Sequence, residues 1–343
     1  MNFWSNRRVL VTGGAGFLGR QIVGLLGARG AEVLAPRKSD CDLTRAEAVH
    51  TVFREGRPDC VIHAAADVGG IGYNGIAPAD IFQNNLRMAV NLLEAARHHP
   101  VEKLVLVGSA CAYPGTVAGR MREEEFEAGP MHPSVEVYGF SKRALYTGAK
   151  AFRRQYGLQS IFLLLTNLYG PGDKFDPRES HVVAALIRKF VEARRQGAGE
   201  VVCWGSGRPT REFMYVEDCA RAILRAAEIY ADPEPLNIGT GEGTTIRELA
   251  ETVWEVSRYA GRIVWDTSMP DGAMYKVLDV SRMRAILGLE PTVSLREGLR
   301  RTVAWYEANG GGAPAPDAAG WAGEGEGIVC GIGPSRPLIG AAR

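Results

Sequence analysis

Short apolar runs alternate with amphipathic stretches along the first half of the chain. Val9-Leu10-Val11, within Arg8–Thr12, suits a parallel strand buried on both faces. Runs of the same kind recur at Ala31–Ala35, Asp59–Ala66 and Lys103–Val107. Between them a helix is expected from Arg20 to Arg29, and a second from Pro78 to His98. The second places Ile81, Asn85, Met88, Leu92 and Ala96 at helical spacing. Strands alternating with helices predict an α/β fold built on a doubly wound parallel sheet. The pattern changes after Pro171, where a smaller α/β lobe is expected that returns one strand to the sheet. There Thr245 and Glu248 form a capping box opening a helix through Tyr259, and Leu299, Val303 and Tyr306 stripe a last helix over 295–309. The expected division is 1–171, mainly nucleotide-binding, and 172–309, mainly substrate-binding. From Gly310 the chain is rich in Gly, Ala and Pro; it buries little, and 310–343, with Cys330, is expected to be disordered.

The first strand breaks into Gly13-Gly14-Ala15-Gly16-Phe17-Leu18-Gly19, in which Gly14, Gly16 and Gly19 fit Gly-x-Gly-x-x-Gly. Strand, glycine turn and helix together form a Rossmann dinucleotide fingerprint, with the pyrophosphate at the helix N-terminus. The next strand ends in Pro36-Arg37-Lys38 instead of an acidic residue. An acid there would take the ribose 2′-hydroxyl of NAD, whereas arginine suits a 2′-phosphate, so Arg37 points to NADP(H). A solvated loop end would carry the same residues. Asp42-Leu43 is placed for the adenine edge, and Ala64, Ala65 and Ala66 let backbone lie beside the cofactor. His63, just before that turn, reads as structural.

Composition narrows the function. The 343 residues are 46% hydrophobic and 23% charged, with a net charge of +1, so no global field recruits nucleic acid or an anionic membrane. No apolar run approaches the roughly 20 residues of a membrane span. Six scattered cysteines without a Cys-x-x-Cys pair argue against a disulfide framework and a zinc site. With no apolar leader near Met1, the chain reads as a cytoplasmic enzyme.

The chemistry centres on Tyr138-Gly139-Phe140-Ser141-Lys142. Residues four apart share a helix face, so the Lys142 ammonium is expected to sit by the Tyr138 phenol and pull its pKa down from about 10. Tyr138 then moves a proton at a carbonyl or alcohol carbon. The fourth strand ends in Gly108-Ser109-Ala110-Cys111, at the crevice where ligands of doubly wound sheets bind. Ser109 and Tyr138 are placed to hold a substrate oxygen as negative charge develops on it. Ser109, Tyr138 and Lys142 resemble the catalytic triad of the extended short-chain dehydrogenase/reductase superfamily.

Further segments are more particular. Val68-Gly69-Gly70-Ile71-Gly72-Tyr73-Asn74, Ser109–Pro114, Thr166–Asp173, Ser180-His181-Val182-Val183 and Trp204–Phe213 resemble the GDP-L-fucose synthase family. The likeness runs from about Arg8 to about Tyr306. It implies 3,5-epimerisation and 4-reduction of GDP-4-keto-6-deoxy-D-mannose with NADPH, in a homodimer. A C4 ketone acidifies the hydrogens on C3 and C5, and inversion needs one group to remove a proton and another to return it. Thiol and imidazole, with pKa values of about 8.5 and about 6.5, suit that work. The resemblance implies Cys111 as base and His181 as acid. It also implies cofactor contacts from Gly13 through Gly19, Gly108, Tyr138, Lys142, Thr166, Asn167, Leu168 and His181, and substrate contacts from Lys189, Trp204, Arg211 and Asp271. Asn167 reads as ordering the loop beneath the cofactor. His181 could instead merely open the helix Val182–Ala193, with Ser180 as its cap. Cys60, Cys203 and Cys219 read as buried hydrophobes. Ala15 departs from the family's basic residue, which leaves cofactor preference open. A 4,6-dehydratase is disfavoured, since Ala110-Cys111-Ala112 stands where its paired acid belongs and Glu123-Glu124-Glu125 lies downstream. Other GDP-keto-sugar enzymes, including heptose ones, and a non-catalytic NADP(H) sensor are the remaining alternatives.

Overall fold

A computed structural model describes residues 2–177, 179–269 and 271–309. The expected tail and Cys330 lie outside the described residues.

Six parallel strands form the central sheet: β1 (Arg8–Thr12), β2 (Glu32–Leu34), β3 (Cys60–His63), β4 (Lys103–Val107), β5 (Ser160–Leu165) and β10 (Leu236–Ile238). Their order, β10-β5-β4-β3-β1-β2, reverses direction at β1 and β3, where a doubly wound sheet opens its ligand crevice. Helices α1 (Phe17–Ala28), α2 (Ala46–Gly56), α3 (Ile71–Ile76), α4 (Pro78–His98), α5 (Glu136–Tyr156) and α7 (Val216–Ile229) accompany these strands. Leu104, Val105 and Leu106 are fully buried, as an apolar run covered on both faces requires. The expected helix at Arg20 begins three residues earlier, at Phe17, because Gly16 is already extended at the N-cap. The returning strand is β10.

A second hydrophobic core gathers α6 (Val182–Gln196), α8 (Ile246–Val256) and α10 (Leu295–Ala308) around Phe190, Leu249 and Leu299. Its strands are short. β6 (Asn167–Tyr169) pairs with β9 (Phe213–Tyr215), and β7 (Glu200–Trp204) with β12 (Arg262–Asp266). β8 (Thr210–Arg211) is flanked by β11 (Thr244–Thr245) and β13 (Tyr275–Lys276), and α9 (Ser281–Leu287) lies beside β10. The capping box forms as read, with the Thr245 hydroxyl accepting from Glu248 N and the Glu248 carboxylate from Thr245 N.

Glu212 ties the short strands to the central sheet. Its side chain is completely buried, and its carboxylate accepts from the backbone N–H groups of Thr240, Gly241 and Leu278. Its carbonyl accepts from Thr166 Oγ1 at 3.1 Å and Asn167 Nδ2 at 2.9 Å.

Candidate active site

The glycine loop packs against its own strand neighbours. At Gly13, with φ +72°, an added Cβ would lie 2.8 Å from Ala65 Cα, so only glycine fits. The first turn of α1 has no side-chain cap and no acidic residue, and Phe17 and Leu18 face the cleft. A helix N-terminus with unpartnered N–H groups is what a pyrophosphate needs. These residues fit a dinucleotide.

From there a cleft of about 670 Å³ runs between the sheet and the second core. Ala64, Ala66, Gly108, Ser109, Cys111, Tyr138, Lys142, Thr166, Asn167 and Leu168 line one side. His181, Lys189, Trp204, Arg211 and Asp271 line the other. Ala65 and the glycine-loop residues Gly13, Gly14, Ala15, Gly16 and Gly19 lie behind this lining, and three expected contacts further along the chain stand apart from it. Arg37 is exposed, with its backbone N–H donating to Asp40. Asp42 turns its carboxylate to Thr44, and the Leu43 carbonyl accepts from Asn91. Cys60, Cys203 and Cys219 are buried, and His63 is held by Thr12 with burial pressing its pKa to about 3.

Helix α5 lies tight against the turn carrying Cys111. A Cβ at Gly139 would meet the Cys111 carbonyl oxygen at 2.5 Å, so the glycine lets Tyr138 and Cys111 share one wall. Cys111 N donates to Ser109 Oγ at 3.2 Å. Lys142 is buried, and its ammonium donates to the Val107 carbonyl at 2.8 Å, 5.7 Å from the Tyr138 ring centre. Here the expected electrostatics are overturned. Burial, and then the Cys111 charge, raise the Tyr138 pKa, while burial holds Lys142 down to about 8. Withdrawal of both groups from water outweighs the favourable field of the ammonium, whose hydrogen bond goes to a carbonyl and not to the phenol.

Across the cleft, His181 occupies the N-cap position of α6 and makes no side-chain cap, and Ser180 is not the cap. Its ring is open to the cleft yet ringed by protein. That enclosure, with the Lys174 charge, keeps its pKa below the ordinary value. Arg211 is half-buried. Burial pushes its pKa down, while the charges of Cys111 and Asp271 pull the other way, and its Nη1 donates to the Thr210 carbonyl at 2.9 Å. Asp271 accepts from Ser206 N at 2.9 Å and Ser206 Oγ at 2.6 Å. Lys189 is no solvated helix residue: it is 1% exposed, and its ammonium donates to the Val202 carbonyl. Two cations assigned no role by the sequence reading, Lys276 and Arg188, also line the cleft. Strand β13 is two residues long and leaves no periodic signal, so Lys276 could not have been found that way.

A glycine-looped parallel sheet with Ser, Tyr and Lys at its crevice defines a nucleotide-dependent enzyme of the reductase and epimerase kind. The chain belongs to the NAD dependent epimerase/dehydratase family, whose model matches residues 9–239. Within that family it is 41% identical to GDP-L-fucose synthase 1 of Arabidopsis thaliana, over 88% of this chain and 94% of that protein. Among solved structures, a GDP-6-OMe-4-keto-L-xylo-heptose reductase from C. jejuni superposes with a TM-score of 0.84 at 26% identity, covering 90% of this chain and 100% of that one. A GDP-L-fucose synthetase from Naegleria fowleri bound to NADP superposes at 0.82 with 27% identity, covering 90% and 96%.

Proposed function

We propose that this protein is an NADPH-dependent enzyme that epimerises GDP-4-keto-6-deoxy-D-mannose at C3 and C5 and reduces C4, yielding GDP-L-fucose. One observation carries the reading: Cys111 and His181 open onto the same cleft as Ser109, Tyr138 and Lys142. A reductase needs only the last three. NADPH, when bound, supplies the hydride at C4, and the Naegleria structure's NADP and the α1 N-terminus support that choice. Arg37 is assigned to the 2′-phosphate, and Asp42 and Leu43 to the adenine.

In this mechanism the Cys111 sulfur takes a proton from the carbon next to the ketone. Ser109 and Tyr138 donate hydrogen bonds to the oxygen as it becomes an enolate. His181 returns a proton on the opposite face. After both inversions Tyr138 gives its phenolic proton to the C4 alkoxide, and the buried Lys142 cation favours the phenolate left behind. Arg211, Lys276, Arg188 and Trp204 hold the GDP portion, with Lys189 and Asp271 setting the wall behind them.

We assign residues 1–171 to cofactor binding and 172–309 to substrate binding. We also infer a homodimer through α4 and α5, whose outer faces expose Phe82, Val90 and Phe140, with Phe82 and Phe140 stacked at 6.1 Å. Five free cysteines among the described residues suit a reducing cytoplasm. No helix of the described residues is long and apolar enough to cross a membrane.

The test is NADPH consumption with the keto sugar in deuterated water, followed by NMR of the product. Deuterium at C3 and C5 with stoichiometric NADPH loss is expected. Reduction without deuterium would leave a simple 4-reductase. A GDP-heptose substrate is the second reading, favoured by the likeness to the C. jejuni reductase, and the same assay with a 4-keto-heptose separates the two.

A further inference from the structure

Asn74 carries a polar atom that the protein leaves unsatisfied. Its Nδ2 donates to the carbonyls of Gly69 and Gly70, both at 3.1 Å. Two carbonyl partners admit only the amide nitrogen at that end, which fixes the side-chain orientation. Oδ1 at the other end is buried without a hydrogen-bond partner. A buried acceptor left unpaired is costly, and in a residue of the cleft lining a small side-chain adjustment brings it to a ligand's donor. Asn74 borders the cleft beside Gly69, Gly70 and His181.

Its place in the fold puts it at the reacting end. Helix α3, which carries Asn74, packs against Pro133–Val135, the turn that leads into α5 and Tyr138. On its other flank, Gly70 N donates to the Glu179 carbonyl at 3.1 Å, two residues before His181. A Cβ at Gly70 would lie 2.7 Å from the Ser180 carbonyl oxygen, so the two segments touch. The turn itself is braced by Asp67, which accepts from Tyr73 at 2.9 Å and Asn84 at 2.7 Å.

Two other residues of the cleft lining have a buried, unpartnered side-chain atom, and both atoms are donors, Trp204 Nε1 and Arg188 Nε. Both belong to the second core's side, with Arg211 and Lys276. Donors and cations suit a diphosphate, whose oxygens only accept. An orphan acceptor suits the opposite partner. A phosphate or a ketone oxygen facing Asn74 Oδ1 would be repelled, and a hydroxyl would be bound.

We propose that Asn74 is a specificity-determining residue whose Oδ1 accepts a hydrogen bond from a ring hydroxyl of the bound keto sugar. This rests on the GDP-keto-sugar reading given above. A site built to bond a hydroxyl rejects the analogue that lacks it, because the buried group then stays unpaired.

The test compares wild type and Asn74→Ala on three sugars: GDP-4-keto-6-deoxy-D-mannose and its 2-deoxy and 3-deoxy counterparts, with kcat/KM read from NADPH consumption. Wild type is expected to turn over one of the deoxy sugars about tenfold or more less efficiently than the parent, a factor typical of a lost buried hydrogen bond. Asn74→Ala is expected to shrink that ratio to about threefold or less. A uniform fall on all three sugars would mean a purely structural Asn74 and would overturn the proposal. So would equal use of all three by wild type, a result that needs no folded variant. No turnover of the parent sugar would overturn the functional reading, and this inference with it.

Discussion

The two sides of the cleft are held by different kinds of structure. Gly108 and Ser109 directly follow β4, and Tyr138 and Lys142 stand on α5, at the heart of a six-stranded sheet whose central strands are buried. Trp204, Arg211 and Lys276 stand on strands of two- and three-stranded sheets, and β8 and β13 have two residues each. Such strands have little ladder to hold them, so their positions depend on single side chains such as Glu212 and the Ser206–Asp271 pair. Of the groups assigned to the reacting carbon, Ser109, Cys111 and Tyr138 are placed by the sheet scaffold, and His181 alone comes from the opposite wall. Of those assigned to the nucleotide, Arg188 rides on α6, while Trp204, Arg211 and Lys276 sit on short strands held by a few buried hydrogen bonds.

The sharpest way to break this comparison is to remove the reacting groups one at a time. Tyr138→Phe is expected to lower the rate of reduction about 10²- to 10⁴-fold, with NADPH affinity measured by fluorescence unchanged. Cys111→Ser is expected to abolish deuterium exchange at C3 and C5 while leaving NADPH binding intact; unchanged product formation would refute the assignment. On the other side of the cleft, Glu212→Ala leaves three buried N–H groups unpaired. A loss of about 3 kcal/mol or more is expected in urea unfolding, with Glu212→Gln losing less because it keeps one acceptor. Arg211→Ala is expected to raise KM for the GDP-sugar about 10- to 100-fold, the worth of a charge-assisted hydrogen bond, and to spare NADPH affinity; an equal effect on both ligands would show that the two sides are not separate.

Acidity gives a subtler contrast. Burial holds Lys142 down to about 8, so the cation is present below that pH and lost as pH rises through it. Reduction is expected to decline on the alkaline side with a midpoint near 8, and Lys142→Arg, which stays charged, is expected to move that limb upward. Smallest of all, Ser294→Ala removes the N-cap of α10, a helix outside the cleft lining. It is expected to cost about 1 kcal/mol of stability and nothing in turnover.

The same contrast explains what could be read from the sequence. The glycine loop, the helix Pro78–His98 and the Tyr138–Lys142 pair are local patterns, set by residues a few positions apart, and the structure places them as read. Near the cleft, α1 starts three residues earlier than read because Gly16 is already extended, and α6 starts at Val182 as read but with His181, not Ser180, at its N-cap. The far wall is assembled over long separations: Asp271 meets a serine 65 residues away, and Glu212 meets Leu278 across 66. No periodicity links such partners, so Trp204, Arg211 and Asp271 were legible only through family resemblance, and Lys276 and Glu212 were given no role. The pKa of Tyr138 was misread for a related reason. Helical spacing places Lys142 beside it but does not reveal that the ammonium is taken by Val107.

Glu212 has a mechanical consequence. Its carbonyl serves Thr166 and Asn167 in the cleft lining, while its carboxylate serves loops at residues 240, 241 and 278. A pivot at that point would break bonds on both sides at once. The two halves are therefore expected to melt together as one cooperative unit, without a hinge of their own. Any tightening around bound substrate is then expected in the short segments at 205–209 and 271–274, which the Ser206–Asp271 pair would carry together.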